Sequence, residues 1–130
     1  MQREYKFRYG YSEGKNWIFH IFTLDQIENG EPYEVLSDNP LLKNYKLVTR
    51  DEFTGLTDKN GKEIYEGDIV KTYSVDDGEL IELVVFKDGK FITKHPLKLN
   101  SDISDFKKDY IEVIGEIHSN LELIKDHSNQ

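Results

Sequence analysis

The chain has 130 residues, 37% of them hydrophobic and 32% charged, and a formal net charge of -8 from 17 Lys and Arg against 25 Asp and Glu. That length suits one domain able to bury roughly two thirds of its unfolded surface, and a composition this rich in aromatic and β-branched residues throughout excludes global disorder. The acidic balance opposes a generic nucleic-acid coat, and the absence of cysteine excludes a disulfide framework, a thiolate metal site and a thiol nucleophile.

From the N-terminus, Tyr5, Phe7 and Tyr9 alternate with Lys6 and Arg8, the period of a strand with one buried face. Arg3, Lys6 and Arg8 form a small basic cluster, but Arg3 is out of step with the other two, so the three do not share a strand face. Gly10 to Asn16 reads as a turn or loop. Trp17 to Phe22, Trp-Ile-Phe-His-Ile-Phe, reads as a second strand, buried on one face and partly covered on the other. Asn29-Gly30, Pro32 and Asp38-Asn39-Pro40 punctuate residues 25 to 44, so turns are expected around one short strand near Tyr33 to Leu36. Tyr45 to Thr49 is open between a short strand and the end of a helical turn that starts at Pro40.

Three dipeptides that tolerate positive φ, Asn60-Gly61, Asp77-Gly78 and Asp88-Gly89, lie between apolar segments and predict three tight hairpins. In the last, Phe86 is expected opposite Phe91 and Val85 opposite Ile92. Residues 53 to 94 therefore read as an antiparallel meander. Ser101 to Lys108 suits a short helix or turn. Tyr110 to Ile117 returns to strand, with Gly115 marking a bulge or a close backbone approach. Ser119 to Ile124 suits a terminal helical turn capped by Ser119 or Asn120. The expected core is Phe7, Ile18, Ile69, Val84, Phe86, Ile92, Val113 and Ile117.

The fold class read from this pattern is all-β with minor α, a small antiparallel β-barrel or strongly bent sheet carrying one or two short helical turns. One domain over residues 1 to 124 and a flexible tail over 125 to 130 are expected. The opening Met1-Gln2-Arg3-Glu4-Tyr5-Lys6 lacks the apolar run of a signal peptide and no later run reaches membrane-span length, so a soluble cytoplasmic protein is expected.

Three stretches resemble the YopX family of phage and prophage proteins. They are Arg3 to Arg8; the phrase Phe53-Thr54-Gly55-Leu56-Thr57-Asp58-Lys59-Asn60-Gly61-Lys62-Glu63-Ile64-Tyr65-Glu66-Gly67-Asp68-Ile69-Val70; and Val113-Ile114-Gly115-Glu116-Ile117-His118-Ser119-Asn120-Leu121-Glu122-Leu123. The chain departs from the family pattern at Gly10-Tyr11, where Trp-Asp is common, and at Leu121, where proline is common. The resemblance implies a β-rich fold, a bacterial mobile-element setting and self-association, and it carries no catalytic residues to transfer.

Motif tests for chemistry fail one by one. Placing Gly61 at the glycine of a calcium loop puts Leu56 at the first ligand position and Gly67 where a bidentate glutamate belongs. His20, His95, His118 and His127 form no His-x-x-x-His or His-Glu-x-x-His pair. Acidic pairs such as Asp76-Asp77, Asp102-Asp105 and Glu63-Glu66 read as solvated charge, and no phosphate-loop glycine pattern occurs. No catalytic residue, metal site or cofactor is therefore expected. Tyr5, Tyr9, Tyr11, Trp17, Tyr65 and Tyr73 are the candidate interaction surface, since exposed aromatics anchor protein interfaces. The favoured function is a non-catalytic protein-interaction or self-associating β module, a phage or prophage accessory protein whose partner is its own copy or a host or phage protein. Two alternatives stay open: a single-stranded nucleic-acid-binding barrel that stacks bases on these aromatics, and an acidic mimic that occupies a host nucleic-acid-binding protein.

Overall fold

The computed structural model describes residues 4–124; the expected tail from Lys125 to Gln130 lies outside the described residues. Its chain is mostly antiparallel β with a few short helices, and one of its two sheets forms a half-barrel. It divides into two compact units, one up to Phe53 and one from Thr54 onward.

In the first unit, β1 (Lys6–Glu13) and β2 (Asn16–Thr23) form a hairpin in which Tyr9 faces His20 and Tyr11 faces Ile18. The turn at Gly14 and Lys15 is far tighter than the loop expected from Gly10 to Asn16, because Gly14 takes φ +60 and lets β1 run on to Glu13. Gly10 belongs to the strand. A Cβ there would overlap Thr49 Oγ1 and sit 3.0 Å from the Phe19 ring, so its role is close approach rather than chain reversal. β2 is less covered than expected: Phe22 is its one buried residue.

No strand forms near Tyr33 to Leu36. Instead α1 (Leu24–Glu28) starts in a capping box between Thr23 and Gln26, and α2 (Glu31–Ser37) follows Gly30, whose φ of +80 turns the chain into a helix opened by Pro32. Pro32, Val35 and Leu36 stand at i, i+3 and i+4, and the last two pack with Ile27, Tyr45 and Leu47 around Tyr9, Tyr11 and Phe22. The Tyr11 hydroxyl donates to the Pro32 carbonyl at 2.5 Å, tying helix to sheet. Of the two options for Tyr45 to Thr49 the strand holds: a 3-10 turn at Pro40–Leu42 ends before it, and β3 (Lys46–Thr57) begins at Lys46. β3 pairs with β1, setting Arg8 opposite Asp51.

From Thr54 on, in the second unit, β3 lies beside β4 (Glu63–Tyr65), and the Asn60-Gly61 turn closes the pair. A five-stranded antiparallel sheet follows: β5 (Asp68–Ser74), β6 (Gly78–Lys87), β7 (Lys90–Lys94), β8 (Ser101–Asp102) and β9 (Ile111–Glu116), in the order β8-β7-β6-β5-β9. The predicted register of the β6-β7 hairpin holds, Val85 facing Ile92 and Phe86 facing Phe91 across Asp88 and Gly89, both at positive φ. Val70, Val84, Phe91, Ile103 and Ile111 form the core together with Ile64 from β4. Of the expected core, Ile69, Val84 and Ile92 are buried and Phe7, Ile18, Val113 and Ile117 half-buried. Phe86 is exposed at the hairpin end, although Phe91 opposite it is buried.

Residues 103 to 110 form two 3-10 turns. Gly115 serves both expected purposes: the β5-β9 register slips beside it, and a Cβ would meet Asn120 Oδ1 at 2.9 Å and Leu123 Cδ1 at 3.0 Å. No described helix is long and apolar enough to cross a membrane.

Candidate interaction site

The alternation of β6 sends Glu82 and Val84 to the core and Ile81 and Leu83 to the opposite face of the five-stranded sheet. That face is not left flat. Beyond β9 the chain doubles back over Gly115 in a turn held by Glu116: its carboxylate accepts the N–H groups of His118 and Ser119 and the Ser119 hydroxyl. The Asn120 side chain accepts from the Glu116 N–H at 3.2 Å, so it binds strand to turn instead of capping the residues that follow. On the other side, His95 and Pro96 leave β7. Between these two segments runs an apolar groove of about 310 Å³, lined by Ile81, Leu83, Pro96, Ile117 and Ile124, with His95 and Lys94 beside them. The His95 Nδ1 accepts the Leu97 N–H at 3.0 Å.

The segment after Pro96 inverts the usual burial rule. Glu82 is fully buried in mid-strand; its Oε2 accepts the Thr72 hydroxyl at 2.5 Å, and its Oε1 lies 2.9 Å from Lys98 Nζ. The ammonium also donates to Ser101 Oγ at 2.7 Å. A buried carboxylate demands such a partner. With Lys98 drawn inward, Leu97 and Leu99 stand 84% and 91% exposed.

Tyr9, Tyr11 and Tyr65 are buried, the first two as the centre of the first unit's core. Burial pushes the Tyr11 hydroxyl up to about 12, helped by Tyr9 and Tyr33. Tyr5 and Tyr73 are exposed, Tyr73 tilted against Tyr110 at 5.6 Å between ring centres. Trp17 is half-buried and stacks on Phe19 at 5.7 Å. Of the basic cluster, Arg8 is buried and paired with Asp51 at 2.9 Å, and Lys6 lies 3.7 Å from Glu4. Arg3 falls outside the described residues. The groove residues were missed, and Ile117 was read only as core. The signal was Leu80-Ile81-Glu82-Leu83-Val84-Val85-Phe86, a run too continuous for a strand with one wet face.

The acids of the central phrase hold backbone. Asp58 accepts the N–H groups of Asn60, Lys62 and Val113 at 2.8 to 2.9 Å, and Asp68 accepts that of Tyr65 at 2.7 Å. Burial alone would raise the Asp58 carboxyl, but the three N–H donors and the Lys62 charge outweigh it and hold it below the usual carboxylate range. Among the described residues no group of three or more His, Asp or Glu is placed to hold a metal ion.

A family model described as YopX protein matches residues 6–125. Among solved structures, the crystal structure of protein EF1440 from Enterococcus faecalis is similar over 89% of this chain and 74% of that one, with 23% identity and a TM-score of 0.45. None of the curated proteins matches.

Proposed function

The chain belongs to the YopX family, and from that premise we propose that it is a non-catalytic protein-interaction module that associates with its own copy through the groove of the second unit. The observation that supports this is the groove itself: apolar side chains from β6, from the segment after β7 and from the closing turn converge on one open cleft, with Lys94 its only formally charged lining residue among those described. Concave apolar surface bordered by polar groups is what a docking side chain needs. Apolar surface gains nothing from a phosphate backbone, and a net charge of -8 opposes one.

The setting proposed is a phage or prophage product in the bacterial cytoplasm, drawn from the family resemblance. Light scattering at micromolar concentration should report a dimer or larger closed oligomer, and Pro96→Asp, an exposed substitution at the groove edge, should shift it toward monomer. A monomer at every concentration would remove self-association from the proposal.

A further inference from the structure

Resting on that function, we propose that the occupant of the groove is the β5-β6 hairpin tip of a second copy, Val75 entering the cleft while Asp76 and Asp77 meet Lys94. The tip has the matching chemistry. Val75 is 93% exposed, an isolated apolar side chain followed by two exposed carboxylates that form no ion pair among the described residues. The groove offers the reverse, an apolar cleft beside one exposed ammonium, Lys94, likewise unpaired among the described residues.

The tip is also preorganised. Ser74 Oγ accepts the Asp77 N–H at 3.0 Å, and Gly78 at φ +69 turns the chain into β6. An ordered knob loses little entropy on docking. It cannot reach its own groove, because Ile81 and Leu83 lie on β6 itself and a hairpin tip extends along its strands rather than folding onto their face. The contact must therefore join two molecules, as a reciprocal dimer or a ring. Leu97 and Leu99 fit less well as occupants, since the charge between them is a lysine already committed to Glu82.

The experiment is sedimentation or light scattering of the full chain at about 0.15 M salt, where charge contacts act over roughly 8 Å, with circular dichroism confirming that each variant is folded. Val75→Asp and Lys94→Glu, both at exposed positions, should each weaken assembly at least tenfold. Combining Lys94→Glu with Asp76→Lys and Asp77→Lys should restore it to within about threefold of the native chain. Assembly unchanged by Val75→Asp but lost in Pro96→Asp would overturn the tip as occupant and leave the groove standing. Assembly indifferent to both would overturn the tip and the groove together, and a native chain that stays monomeric would overturn the contact outright.

Discussion

Asp58 and Lys98 show how single side chains hold this protein together. Asp58 gathers three backbone N–H donors, two from its own turn and one from β9. In Asp58→Asn the amide oxygen can still accept from two of them, but its NH2 then faces the third donor, so a loss of about 2 kcal/mol is expected in urea unfolding at neutral pH. Because the folded carboxyl is held below its ordinary value, its contribution is full above the unfolded carboxylate pKa of about 4 and is lost as pH falls through the lower folded value. The gap between native chain and variant should therefore narrow toward pH 3. At the second site, Lys98→Met strands the fully buried Glu82 and should cost about 3 to 5 kcal/mol, whereas adding Glu82→Leu should return much of it. A double-mutant cycle measures both. Neither partnership was legible in the sequence, since a carboxylate in an apolar run reads as the wet face of a strand until its partner, 16 residues on by subtraction of 82 from 98, is seen to fold back.

At the scale of elements, hairpins were legible because their cause is local. Asp88-Gly89 announces two residues at positive φ, and the register of Phe86 on Phe91 follows from the pleat. Helices α1 and α2 have equally local causes, but the sequence pattern there reads as turns around a short strand near Tyr33 to Leu36: Gly30 and Pro32 look like breakers, yet before a helix they are its start signals, and the Thr23 to Gln26 capping box stands in plain sequence. Gly10 was the opposite case. Its need for glycine comes from Thr49 and Phe19, side chains on two other strands. Gly10→Ala should destabilise the first unit by about 1 to 3 kcal/mol through overpacking, read as a lower unfolding midpoint of Trp17 fluorescence.

For the whole molecule, the expected solution behaviour follows from net charge: with -8 overall and Arg8 neutralised by Asp51, neither single-stranded nor duplex DNA should shift in a mobility assay near 0.15 M salt. A complex whose affinity falls steeply with salt would move the proposal to the nucleic-acid alternative and make Trp17 and Tyr73 the first residues to change. By itself the sequence determined the β class, the three hairpins, the strand at the C-terminal end and the family, because turn chemistry, alternation and the phrase from Phe53 to Val70 are properties of neighbours in the chain. Only the tertiary structure decided which tyrosines are core and where a cleft opens. An amphipathic strand has two faces that the pattern cannot rank when both carry apolar side chains, and the groove exists only where Ile81, Pro96 and Ile124, far apart in sequence, are brought to one side of a sheet.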